Sequence, residues 1–136
     1  MRLNIGSIPT EAVKADMESA SSTGVFVTPA VAKYHPGVSK AWINFDGTSG
    51  SIGTGRASYN MDSVTDNGVG DWTVNYTTDF SSTNYCVTFG VRSLAVNCKM
   101  DPSNAPTAGA TRIIAFNSVF QLTDSDYICV AVHGDQ

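Results

Sequence analysis

From Lys40 onward the apolar residues recur at every second position, and no other feature of this sequence constrains the fold as strongly. In Trp72-Thr73-Val74-Asn75-Tyr76 the set Trp72, Val74 and Tyr76 opposes Thr73 and Asn75, the pattern of a strand with one wet side. Ala41-Trp42-Ile43-Asn44-Phe45 places Ala41, Ile43 and Phe45 on one face and Trp42 and Asn44 on the other. Tyr85-Cys86-Val87-Thr88-Phe89 repeats the alternation, while Ile128-Cys129-Val130-Ala131-Val132 is apolar on both faces and is expected at the centre of a sheet. Further strands are expected near Ile52 to Tyr59 and near Arg112 to Phe120. Asp46-Gly47, Asp66-Asn67-Gly68 and Pro102-Ser103-Asn104 supply turns between these runs. Roughly eight short, turn-linked strands predict an all-β fold, an antiparallel β-sandwich or jelly-roll-like body over residues 40–136.

Residues 1–39 have a different texture and read as an N-terminal arm used for assembly, with the change falling near Gly37. One short helix is expected over about residues 10–20. Thr10 would cap it after Pro9, Glu11 would suit its first turn, and Val13, Met17 and Ala20 recur at helical spacing. So thin an apolar stripe does not hold a short helix alone, so the arm is expected to pack on the body or on a second subunit. Gly24 to Thr28 reads as a strand, and Pro29 and the turn Tyr34-His35-Pro36-Gly37 punctuate the rest of the arm. Val13, Met17, Tyr34, His35 and Trp42 are the candidate subunit-interface residues, and Asp66, Asn67 and Gly68 the candidate exposed loop.

Composition narrows the function. Of the 136 residues 42% are hydrophobic and 15% charged, a balance that favours a folded domain whose surface is largely Ser, Thr, Asn and Gly. A net charge of −4 with scattered basic residues offers no footprint for a phosphate backbone, so no nucleic-acid partner is expected. No apolar run has the length to cross a bilayer, so no membrane insertion is expected, and Met1-Arg2-Leu3-Asn4 does not begin a signal peptide. Three cysteines, Cys86, Cys98 and Cys129, cannot all pair within one chain, which argues for buried free thiols in a reducing cytosol. A Cys86–Cys129 bridge stays open if their strands are neighbours.

No catalytic residue, metal ligand or cofactor is expected. The histidines, His35 and His133, stand apart and read as surface or rim residues, and no CxxC spacing supports zinc. No G-x-S-x-G elbow occurs. Asp62, Asp66 and Asp71 flank a glycine-rich turn that could wrap calcium, but the spacing is not that of an EF-hand, and a hairpin explains it better. The aromatics Trp42, Tyr59, Trp72, Tyr76, Tyr85, Phe89 and Phe116 are spread over strands, as core residues are.

Several runs carry a resemblance. They are Ala20-Ser21-Ser22-Thr23, Val27-Thr28-Pro29, Tyr34-His35-Pro36, Lys40-Ala41-Trp42-Ile43-Asn44-Phe45, Ala57-Ser58-Tyr59-Asn60, the stretch from Ser63 to Asp71, Val74-Asn75-Tyr76 and Asn84-Tyr85. Together they resemble the C-terminal module of tailed-bacteriophage tail fibre proteins over most of residues 20–90. The resemblance implies a virion structural protein, a homo-oligomer (a trimer) whose loops meet a host-surface receptor or glycan or other phage virion proteins, with no catalytic residues. Fibre modules normally follow a shaft and an attachment region, which this sequence does not contain. A capsid decoration, or cement, protein that clamps neighbouring capsid subunits is therefore the alternative expectation, with a small surface-polysaccharide hydrolase third.

Overall fold

A computed structural model describes residues 9–49 and 55–136 and divides the chain into two compact units, Met1–Val38 and Ser39–Gln136. In the first, β1 (Thr10–Glu11) pairs in parallel with β2 (Val25–Phe26), and α1 (Lys14–Ser19) lies between them in sequence. The expected helix start at Thr10 is corrected: Thr10 and Glu11 are extended and pair with Val25 and Phe26. The helix begins after Val13, where the Asp16 carboxylate accepts the Val13 N–H at 2.9 Å and supplies the N-terminal acceptor expected of Thr10. It stops at Ala20, whose φ of 50° is left-handed, with the Ala20 N–H bonded to Asp16 O at 3.0 Å. The second strand is shorter than Gly24 to Thr28, because Thr28 and Pro29 start a further turn of helix, α2 (Pro29–Ala32).

The second unit holds eight strands: β3 (Ala41–Phe45), β4 (Ala57–Tyr59), β5 (Met61–Gly68), β6 (Asp71–Tyr76), β7 (Cys86–Val91), β8 (Val96–Met100), β9 (Ala110–Asn117) and β10 (Ile128–His133). They form two four-stranded sheets, β4-β3-β10-β7 and β5-β6-β9-β8, with every pairing antiparallel. This is the expected sandwich. Three hairpins, β3–β4, β5–β6 and β8–β9, stay within one sheet, and the other connections pass between sheets. The part of the expected strand near Ile52 that precedes Gly55 lies outside the described residues.

The alternation decides which side chains meet. Ala41, Ile43 and Phe45 of β3 and Ile128, Val130 and Val132 of β10 face Trp72, Val74 and Tyr76 of β6 and Ile113 and Ala115 of β9 in one buried cluster. Phe45 and Trp72 meet edge to face across the sheets, their ring centroids 5.7 Å apart. Position 47 needs glycine because a Cβ there would stand 2.5 Å from Trp72 Cζ2. β5 breaks the period: register shifts between Met61 and Ser63 and between Asp66 and Gly68 allow Met61 and Val64, three residues apart, both to be buried. β10 sits inside its sheet between β3 and β7, as its two-sided apolarity predicts.

At one end of the core a polar network closes the packing. Tyr76 Oη and Tyr85 Oη each lie 2.6 Å from Thr111 Oγ1, and Tyr85 Oη also donates to Thr107 O at 2.8 Å or Ala110 O at 3.1 Å. Burial pushes the Tyr76 hydroxyl well above its ordinary pKa, so it stays protonated and serves as a structural hydrogen-bonding group. Phe80 packs against both tyrosines, its ring centroid 5.0 Å from that of Tyr76 and 4.7 Å from that of Tyr85.

Candidate functional site

An open trough lies on the outer face of the sheet β4-β3-β10-β7. Residues that alternate away from the core stand there in rows fixed by register. One row runs Tyr59, Trp42, Ala131, Thr88, and the next runs Ala57, Asn44, Cys129, Gly90. The Trp42 ring at one side and small side chains in the middle leave a trough of about 390 Å³, lined by Trp42, Asn44, Thr88, Gly90, Cys129 and Ala131. Trp42 is 40% exposed and its cross-strand neighbour Tyr59 is 49% exposed, so neither is the core residue that its aromatic character suggests.

The polar groups of the trough are committed to the sheet. Asn44 Nδ2 lies 3.4 Å from Ile128 O and 3.1 Å from Cys129 Sγ, and Thr88 Oγ1 donates to Ala131 O at 3.2 Å. There remains an aromatic flank over an apolar floor. What such a surface can offer is stacking and shape complementarity. Sequence reasoning singles out Trp42 but not the floor. The signal for the floor is the pair of small residues on the outward positions of β7 and β10, Gly90 and Ala131, visible only once the two strands are known to be adjacent.

The other interface candidates, Val13, Met17, Tyr34 and His35, belong to the first unit. Met17 and His35 line one small cavity of about 190 Å³ in the first unit, together with Ala12, Asp16, Val25 and Val27. Asp16 is held there by bonds from Ser22 Oγ and the Val13 N–H, which lower its pKa in that order of importance. Val13 is 59% exposed, and Tyr34 lies under the ammonium groups of Lys14 and Lys33 at 5.2 and 5.0 Å.

Asp66, Asn67 and Gly68 are exposed, but they belong to the end of β5; the turn itself is Val69-Gly70. Gly68 N–H bonds to Asp66 Oδ1 at 2.9 Å, and Asn67 Nδ2 donates to Thr73 Oγ1 at 2.9 Å. The three carboxylates of this hairpin do not converge. Asp71 accepts a two-pronged bond from Arg112, Nε to Oδ1 at 2.8 Å and Nη2 to Oδ2 at 2.6 Å, and Asp62 bonds Ser63 Oγ at 3.2 Å. Among the described residues no group of three or more His, Cys, Asp or Glu is assembled as a metal site.

The cysteines are free, but none is buried as expected: Cys98 and Cys129 are half-buried and Cys86 is exposed. Cys86 and Cys129 do lie on neighbouring strands, but Cys129 is opposite Gly90 and Cys86 is opposite His133. An offset of four residues is about 13 Å along a strand, too far for a disulfide. Burial pushes the Cys98 thiol up to about 12, so it is no nucleophile at neutral pH. No family model, curated protein or solved structure matches the chain.

Proposed function

We propose that this chain is a structural protein of a tailed-bacteriophage particle, acting in several copies and presenting a rigid sheet face for attachment to a host-surface molecule or to a neighbouring virion protein. The observation that carries the reading is Trp42 beside Tyr59 on an open sheet face, next to a low floor, with the buried core directly beneath. Exposing two large rings next to each other on a strand pair has a solubility cost that makes sense where a partner covers them. The same residues lie inside Lys40–Phe45 and Ala57–Asn60, two of the runs that carry the resemblance to fibre modules.

A fibre module occurs in few copies per particle and a cement protein in hundreds. Quantitative mass spectrometry of purified particles against the major capsid protein separates these two roles, and absence from the particle sinks both. Trp42→Ala is expected to leave melting nearly unchanged while weakening attachment to cells or to stripped particles at least about tenfold. Unchanged attachment would strip the sheet face of this role.

A further inference from the structure

A β-sheet that is not closed must end in edge strands whose outward N–H and C=O groups can recruit another chain, and folded proteins usually blunt them. Among the described residues this sandwich has four such edges: β4, β7, β5 and β8. β4 is only three residues long, β5 is interrupted by two register shifts and carries Asp62 and Asp66, and β8 carries Lys99 within its length. β7 has none of these devices. Cys86–Val91 pairs with β10 over six consecutive residues without a bulge, and it contains no proline and no charge.

Two backbone bonds set the phase of the free edge. Arg92 N–H donates to Tyr127 O at 3.2 Å, so the even-numbered residues of this segment turn their backbone toward β10. Val132 O, turned toward β3 and bonded by Lys40 N–H at 2.8 Å, fixes the same phase from the other side of β10. Val87, Phe89 and Val91 therefore point their N–H and C=O groups outward, and among the described residues no backbone bond meets them. Their side chains face the sandwich interior but are only half-buried, unlike the inward residues of β3, β6 and β10.

We propose that the free edge of β7 pairs antiparallel with the same edge of a second copy, about a two-fold axis at Phe89. Self-complementarity fixes the occupant. The outward-bonding triplet Val87, Phe89, Val91 reads the same in both directions, so Val87 meets Val91 of the other copy and Phe89 meets its own counterpart. Each of these is a hydrogen-bonding pair that exchanges both backbone bonds, and the half-buried side chains of the two copies close each other's open edge. An axis perpendicular to the sheet keeps both Trp42 faces on the same side of an eight-stranded sheet. The pairing depends on the strand edge alone and would stand without a virion role.

In this register Thr88 stands opposite Gly90 of the other copy in a non-hydrogen-bonding pair, where the backbones are closest. A Cβ at Gly90 meets only Cys129 Cβ, at 3.5 Å, so the position accepts a side chain. Because Cys129 stands at disulfide distance from position 90 and Cys86 is exposed, the test uses full-length chains carrying Cys86→Ser and Cys129→Ala; mixing the Thr88→Cys form of this chain with its Gly90→Cys form under mild oxidation is expected to give a mixed disulfide dimer that neither variant forms alone. No mixed dimer, or equal cross-linking of each variant by itself, would overturn the pairing. Hydrogen exchange on the native chain provides a readout independent of the variants. The Val87, Phe89 and Val91 amides are expected to exchange as slowly as those of Thr88 and Gly90, whereas odd-numbered amides about tenfold or more faster than even-numbered ones would show a bare edge and refute the proposal.

Discussion

The two units of this protein are built by different means. Fourteen residues from both sheets and the adjoining loop form the buried cluster of the sandwich, centred on Trp72, Phe45 and Ile43. Among the described residues of the first unit only Ala12 is buried, while Val13, Phe26, Val27 and Val38 are exposed. The first unit is held instead by short-range polar links: Asp16 to Val13, Glu11 to Thr28, and Lys14 to Glu18 at 3.4 Å. Exposed links of this kind contribute little each, whereas every large core side chain removed from water stabilises by about 1.5–3 kcal/mol. Stability therefore resides in the sandwich, and the first unit is a surface held in shape by local bonds.

Core truncation should break the comparison most sharply. Trp72→Ala removes a fully buried ring at the junction of the sheets and is expected to cost about 3–5 kcal/mol, read as a fall in the chemical-denaturation midpoint. A cost under about 1 kcal/mol would mean that the sheets do not share one core. Gly70→Ala comes next. Gly70 has φ of 66°, and a Cβ there would lie 2.5 Å from Thr123 N and 2.6 Å from Ala115 O. About 1–3 kcal/mol should be lost although no apolar contact is removed, read on the same curve.

Much of this architecture is legible in the sequence, and the illegible parts have physical causes. β3, β6 and β10 can be read because alternation and burial coincide in them without interruption. β5 cannot, because its bulge puts Met61 and Val64 on one face at a spacing of three and because the rest of the strand is polar. Thr10 looks like a cap, yet Asp16, three residues into the helix after Val13, provides the acceptor instead. Of the trough, Trp42 is visible, but its floor depends on β7 lying beside β10. That neighbour relation joins Thr88 to Ala131 across a long stretch of chain and leaves no local mark.

Smaller effects sharpen the contrast. Met17→Ala, in the small cavity of the first unit, should change global stability by less than about 1 kcal/mol, measured on the same denaturation curve as Trp72→Ala. A loss as large as that of Trp72→Ala would place the first unit within the main cooperative core. Acid should act weakly and late. Asp16, Asp46 and Asp101 are all held below the ordinary value of 3.8, chiefly by bonds from Ser22, Thr48 and the Ser103 N–H respectively. A depressed folded-state pKa gives stability that is present above the unfolded value and lost as pH falls through the folded one. Melting should therefore be flat from neutral pH down to about 4 and decline below it, and a decline already complete by about pH 5 would point to other groups.

The central claim is that one unit owns the core. Hydrogen exchange followed residue by residue on the intact chain tests it directly. The amides of Ile43, Val74, Ile113 and Val130 should exchange only through global unfolding, and those of residues 14–38 orders of magnitude faster. Equal protection across both units, or fast exchange within β6 and β10, would contradict it.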